Sequence, residues 1–267
     1  MQPLEHQLSQ QYPSDVTDAQ WEQLAPWFEP KPRQPGRKPT ISRRRIVNAI
    51  FYVLREGCRW RSLPHDYPDW RLVYFYFHLW HQRGVFAELY DALHRAERVR
   101  QGRDPHPSAG ILDSQSVKTS AVARGACGYD AGKKVKGRKR HALVDTLGLP
   151  EVLQVTGAQV QDRDGGRAVL ETAHTQCPRL SYGWMDGAYQ ALVGWAAEMY
   201  QWTFEVVKRP KEQRGFVVLP RRWVVERLFG WFGHYRRLSK DYEVWPETQL
   251  SMLHMALIHL LVRRQAA

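Results

Sequence analysis

The sequence predicts an α/β protein, a mixed-sheet layer with helices, preceded by a small all-α domain of helix-turn-helix type. Three observations carry this. Over the first hundred residues, apolar side chains recur at helical spacing in short segments separated by glycine and proline. After a polar linker at residues 101–108 the period changes, and apolar runs of strand length appear, beginning with Ile111-Leu112-Asp113. From there strands come first and then alternate with helices, the order expected of an α/β layer. The chain therefore divides into residues 1–103, helical, and 104–267, α/β.

In the helical part, residues 1–16 are polar. Thr17 or Asp18 caps a short helix through Phe28, with Trp21, Leu24 and Phe28 on one face. Prolines at 30, 32, 35 and 39 then exclude a regular element and leave an extended arm. Residues 31–45 carry seven Lys or Arg and no acid. Such an arm suits a phosphate backbone, although a single charge run is more often a solvated linker. Ser42 is placed to cap a helix over 43–56, with Ile46, Ile50, Val53 and Leu54 inward and Gly57 as its stop. After a turn-rich stretch, Asp69 caps an aromatic helix holding Trp70, Tyr74, Phe75, Phe77 and Trp80, which read as core rather than base-stacking groups. Gly84 breaks it, and another helix runs to about residue 98. Lys38, Arg59, Arg61 and Arg71 are candidates for phosphate contacts.

In the second part, residues 138–145 and 151–156 form a hairpin around a turn at 146–150. A helix over 166–175, a strand over 181–186, a helix over 191–200 and a strand over 203–207 follow. Helices over 222–242 and 248–264 complete the chain.

Composition narrows the function. A net charge of +12 and an isoelectric point near 9.8 favour a polyanionic partner, nucleic acid before membrane. No apolar run is long enough to cross a bilayer, and the N-terminus lacks the pattern of a signal peptide. Cys58, Cys127 and Cys177 have neither zinc-finger spacing nor a disulfide framework, consistent with reduced thiols in a bacterial-type cytoplasm.

Three acids stand out. Asp113 and Asp186 each end an apolar run, and Glu226 lies in the 222–242 helix. At 100° per residue, Val224, Leu228, Trp231, Tyr235 and Leu238 form one stripe. The opposite face holds Glu226 among Arg222, Arg237 and Lys240, with Gly230 and Gly233. Two strand-end aspartates and a helix glutamate suit a pair of divalent cations bridging a phosphodiester. On the helix alone, a solvated face with a stray glutamate is an equal reading. Among rival groups, Asp145 reads as turn chemistry and Asp162 and Asp164 as helix caps. His141 reads as packed or phosphate-facing, and Ser114 and Ser116 lack His–Asp partners.

Four stretches carry a family resemblance. They are Ile-Leu-Asp-Ser-Gln-Ser-Val-Lys at 111–118, Lys-Gly-Arg-Lys-Arg-His-Ala-Leu-Val-Asp-Thr-Leu-Gly-Leu-Pro at 136–150, Met-Asp-Gly-Ala-Tyr at 185–189, and Arg-Arg-Trp-Val-Val-Glu-Arg-Leu-Phe-Gly-Trp-Phe at 221–232 with Arg-Arg-Leu-Ser-Lys-Asp-Tyr-Glu at 236–243. With Trp60-Arg61-Ser62-Leu63-Pro64, the chain resembles the DDE transposases of bacterial insertion sequences, IS-five branch, over roughly residues 15–262. The resemblance implies a ribonuclease-H-like core behind a helical DNA-binding domain. It implies that Asp113, Asp186 and Glu226 hold two magnesium ions, with manganese as an alternative. The reaction implied is cleavage at the element's ends, followed by attack of the 3′-hydroxyl on target DNA. Lys133, Lys134, Lys136, Arg138, Lys139 and Arg140 would then bind phosphates, and Arg222, Arg237 and Lys240 would flank the scissile group.

The chain departs from the family pattern around the glutamate. Leu219 stands where a Tyr is usual and Gly233 where a base is usual, leaving His234, Arg236 or Arg237 to supply that contact. The partners implied are insertion-sequence ends and target DNA, with a homodimer or larger assembly on DNA and no membrane. A DNA-binding, transposase-derived regulator and a plain metal nuclease are the alternatives.

Overall fold

The computed structural model describes residues 12–29, 41–207 and 221–266. Residues 31–40 of the basic arm, Lys38 among them, and the Leu219 position lie outside the described residues. The chain forms two compact units. Of the described residues, the first comprises 12–29, 41–93, 235–238 and 251–266, and the second 94–207, 221–234 and 239–250.

The first unit is helical. Helix α1 (Asp18–Phe28) starts at a capping box in which Thr17 Oγ1 accepts from the Gln20 backbone N–H and Gln20 Oε1 from that of Thr17. Helix α2 (Arg43–Glu56) stops at Gly57, whose φ of 72° is left-handed. A Cβ on Gly57 would lie 2.9 Å from Arg236 Cβ, so both backbone conformation and space require glycine. Helix α3 (Trp70–Gln82) is capped by Asp69, and α4 (Val85–Arg100) follows Gly84. Phe28, Phe77, Trp80 and Phe86 stack into the centre, whereas Tyr74 and Phe75 are exposed. The aromatic helix therefore gives only part of its rings to the core. The last helix, α8 (Pro246–Gln265), is buried on nearly every side over residues 251–262 rather than along one stripe. No described helix is long and apolar enough to cross a membrane.

The second unit is a mixed sheet with helices. Its strands are β1 (Ala109–Lys118), β2 (Gly128–Asp130), β3 (Val135–Val144), β4 (Pro150–Gly157), β5 (Tyr182–Met185) and β6 (Thr203–Val206). They run in the order β4-β3-β1-β5-β6, with β2 pairing the start of β3. Strands β1, β3 and β4 are antiparallel, while β5 and β6 join parallel to β1, β6 through the crossover helix α6 (Gln190–Tyr200). Helix α5 (Asp162–Gln176) packs on β3 and β4, and α7 (Trp223–Gly233) on β1 and β3. Leu112, Leu143, Val152, Val169, Leu170, Met185 and Phe204 form the core between sheet and helices.

Two elements differ from expectation. Strand β1 continues to Lys118, because every residue from Ile111 onward pairs with β3. Helix α7 ends at Gly233 instead of extending to 242. Gly230 and Gly233 each weaken a helix by about 1 kcal/mol relative to alanine. Asp241 then bridges to Thr119, and its N–H donates to Lys118 O at 2.8 Å. Tyr235 and Leu238 are buried all the same. The apolar spacing recorded burial, which outlasted the helix.

The basic run of β3 also requires correction. Lys133, Lys134 and Lys136 are exposed, but Arg138, Lys139 and Arg140 are only 0, 3 and 1% exposed. Arg138 Nη1 pairs with Asp241 Oδ2 at 2.8 Å, and the guanidinium donates to the carbonyls of Arg124, Ala126, Glu243 and Val244. Lys139 Nζ reaches Asp162 Oδ1 at 2.8 Å, Asp130 Oδ2 at 3.3 Å and Val160 O at 2.8 Å. Arg140 donates to Gln115 Oε1 at 3.1 Å and lies over the Phe232 ring. These three cations are consumed inside the unit and cannot reach a DNA backbone. Charges this deep need compensation, which carboxylates supply for Arg138 and Lys139 and an amide oxygen and a ring face supply for Arg140.

The turn between β3 and β4 is held by Asp145. Its Oδ1 accepts from the N–H groups of Leu147 and Leu149 at 2.8 and 2.9 Å, the turn role expected of it. Its Oδ2 is paired with Arg98 and lies 3.3 Å from His94 Nε2, which is also 3.4 Å from Glu151 Oε1. Burial raises Glu151 from 4.5 to about 7, against the pull of His94 and Arg98.

Two outcomes follow. Glu151 binds its proton more tightly when folded, so its contribution to stability falls as pH rises from about 4.5 to about 7 and is level above that. Glu151→Gln should stabilise the protein by about 1–3 kcal/mol at pH 8 and lose that advantage near pH 4.5, as read by urea unfolding at both values. Arg138→Met should cost about 3–5 kcal/mol in the same assay, because it strands Asp241 as a buried unpaired charge.

Candidate catalytic site

The site begins with strand register. Strands β1 and β5 pair in parallel, with Leu112 opposite Met185. The next residue on each is an aspartate, Asp113 and Asp186. Asp186 leaves β5 and caps the 3-10 turn Gly187–Tyr189, its Oδ1 accepting from the Ala188 N–H at 2.8 Å. Asp113 lies inside β1, opposite Ala142 of β3, and not at a strand end as expected. Its Oδ1 accepts from the Ser114 N–H at 2.7 Å. Each carboxylate is thus oriented by a backbone N–H through one oxygen.

The second oxygens face the same cation. Arg222 Nη2 lies 3.5 Å from Asp113 Oδ2 and 3.6 Å from Asp186 Oδ2. Burial raises Asp113 to about 6, with the charge of Asp186 adding and the Ser114 N–H, Arg222 and Lys133 opposing. Glu226 is half-buried in the first turn of α7, the helix that packs on β1. It stands four residues after Arg222, one helical turn along the same side.

Other expected residues separate from this group. Arg237 is buried in the first unit, donating to Cys58 O at 3.2 Å, because α7 ended before reaching it. Lys240 is exposed beyond the helix. Lys133 approaches the site, its Nζ donating to Ser114 O at 3.3 Å. Among the rivals, Asp162 does not cap α5. It pairs with Lys139 and accepts from Ser114 Oγ at 2.8 Å. Exposed Asp164 pairs with Arg163. His141 is a packed core residue whose Nε2 meets Thr156 Oγ1 at 2.9 Å, and burial lowers it to about 4.

Residue-type reasoning overlooked Tyr189. It is almost fully buried, and burial together with the charges of Asp113, Asp162 and Asp186 raises its phenol well above the ordinary range. Its ring lies where a Cβ on Gly166 would come within 2.6 Å. The signal was present, since Tyr189 ends the Met-Asp-Gly-Ala-Tyr stretch.

Asp113 and Asp186 offer oxygen donors of the kind a hard divalent cation prefers, and their Oδ2 atoms already face a positive charge. The three acids, Glu226 included, do not all bring a ligand atom within 4.8 Å of one another. Among the described residues, the group whose ligand atoms do lie within 4.8 Å of one another is His94, Asp145 and Glu151. It differs because Arg98 is hydrogen-bonded directly to Asp145 Oδ2 while Oδ1 is taken by two backbone N–H groups. The charge there is already neutralised.

Residues 16–90 match the family model described as the putative transposase of the IS4/5 family. Residues 104–261 match that of the transposase DDE domain, a family that uses divalent metals and acts on DNA. An uncharacterized protein, y4sN, of Sinorhizobium fredii is 33% identical over 111 residues, covering 42% of this chain and 82% of that protein. An uncharacterized 16.2 kDa protein of insertion element IS402 from Burkholderia cepacia is 31% identical over 109 residues, covering 39% of this chain and 72% of that protein. No solved structure matches the chain. The DDE match spans more than half of the sequence, follows a helical region that matches separately, and coincides with a mixed sheet of ribonuclease-H-like order, so the chain belongs to the DDE transposases of the IS4/5 family.

Proposed function

We propose that this transposase cuts DNA at the ends of its insertion sequence and joins the resulting 3′-hydroxyl to target DNA, with Asp113, Asp186 and Glu226 as its metal-holding carboxylates. The observation that carries the reading is the parallel β1–β5 register, which sets two aspartates beside one another with an oxygen of each turned toward one cation. Two divalent ions in such a site supply an activated oxygen nucleophile and charge stabilisation at the phosphodiester. Magnesium suits the all-oxygen donor set, with manganese as an alternative.

The chain's own residues do the positioning. The Ser114 and Ala188 N–H groups fix the two aspartates, leaving their Oδ2 atoms to face inward. Helix α7, which carries Glu226 in its first turn, packs on β1 and β3. The exposed residues Lys133 and Lys134, between β2 and β3, and Lys136, near the start of β3, are suited to a phosphate backbone. Cutting and joining two ends calls for at least a dimer on DNA.

The test uses a labelled duplex carrying the element's end, a target duplex and magnesium. The parent should cleave and join, and Asp186→Asn should lower both by more than about a hundredfold, beyond the effect of losing an outer partner of a metal ligand. Lys136→Ala should weaken DNA binding similarly on all sequences and make its salt dependence shallower. Specific binding without cleavage by either protein would instead support a DNA-binding remnant, and cleavage without joining a nuclease.

A further inference from the structure

Arg222, partly exposed, is held unlike the fully buried Arg138 and Arg98 of its unit. Arg138 makes close contacts with a carboxylate and four carbonyls, and Arg98 hydrogen-bonds directly to Asp145. Arg222 instead stands 3.5 and 3.6 Å from the Oδ2 atoms of Asp113 and Asp186. A charge-assisted N–H···O hydrogen bond is about 2.7–2.9 Å long. The guanidinium is therefore within reach of Coulomb attraction but outside hydrogen-bonding contact. Its Nε is buried without a hydrogen-bond partner. A guanidinium does not lose its proton in a protein, so this positive charge is permanent. It is a fixed cation, loosely seated, facing the two oxygens that the proposed metal would need.

We propose that Arg222 is a resident competitor for the metal: its guanidinium and a divalent cation contend for Asp113 Oδ2 and Asp186 Oδ2, and cation loading requires the guanidinium to leave. The inference rests on the metal-site reading above and adds what sets the site's affinity. Two neighbouring carboxylates repel one another, and Arg222 relieves that repulsion until a cation replaces it. The observed metal affinity is then the intrinsic affinity reduced by the exchange. The displaced side chain remains anchored one helical turn from Glu226, with its planar fork free to take two oxygens of another anion.

The experiment measures Mn2+ binding to full-length protein by electron paramagnetic resonance, and thermal unfolding with EDTA or with saturating Mn2+. The parent is compared with Arg222→Gln, Arg222→Lys and Asp186→Asn. Arg222→Gln should bind Mn2+ about tenfold more tightly, since a like charge a few Å away opposes the ion. Arg222→Lys keeps the charge and should stay close to the parent. Arg222→Gln should melt below the parent in EDTA, with two uncompensated carboxylates, and recover with Mn2+.

Equal or weaker Mn2+ binding by Arg222→Gln, while Asp186→Asn abolishes binding, would overturn the competition and leave the metal site standing. A melting loss that Mn2+ does not recover would do the same, marking Arg222 as structural support. Parent-like Mn2+ binding by Asp186→Asn would bring down the metal-site reading and the competition with it.

Discussion

Strands β1 and β5 pair in parallel with Leu112 against Met185, and the acidic site depends on that register. A one-residue slip would turn the following side chains to the opposite face of the sheet. The register is fixed from both sides. Leu112 and Met185 are fully buried in the core, while β1 is also pinned along eight residue pairs to β3. Parallel pairing demands a long crossover between the strands, which is why the two aspartates lie far apart in sequence and adjacent in space.

Charge is arranged around this sheet in three distinct ways. Arg138 and Lys139 on β3 are fully paired and hold loops to the sheet, joining segments distant in sequence. Asp145 anchors the β3–β4 turn through two backbone N–H groups while Arg98 and His94 meet its other oxygen. Next to that turn, Arg227 donates to Leu147 O at 2.7 Å and lies over the rings of Trp223 and Trp231, tying α7 to the sheet. The segment carrying Glu226 is therefore fixed by its neighbour in sequence. At the acidic site the same kinds of group are present, but Arg222 reaches neither aspartate closely. A tight network maintains shape, whereas a loosely seated cation between oriented carboxylates leaves room for exchange.

Elements are legible in the sequence where the physics that forms them is local. The cap at Thr17 or Asp18, which the structure places at Thr17, the stop at Gly57 and the cap at Asp69 each depend on a few consecutive residues. The hairpin turn at Asp145 and the order of strands and helices in the second unit were legible for the same reason. The length of α7 was not. Apolar spacing continues through Tyr235 and Leu238, yet the backbone leaves the helix at Gly233 to let Asp241 meet β1. Periodicity reports which side chains are buried and is silent on whether one helix buries them all.

The sequence by itself determined the class of fold, the family and the acids worth watching, because those reside in periodicity, composition and short motifs. Only the tertiary structure decided which charges are available. In the run Lys133 to Arg140, six cations look alike on paper, but three are exposed and three are sealed in the sheet with Asp130, Asp162 and Asp241 or with neutral acceptors. Arg222 and Arg237 likewise share a predicted helix face, yet one faces the aspartates and the other is buried against Cys58 in a different unit. A charge is usable only if folding leaves it unpaired or loosely paired, and its partners come from segments dozens of residues away that no local pattern records.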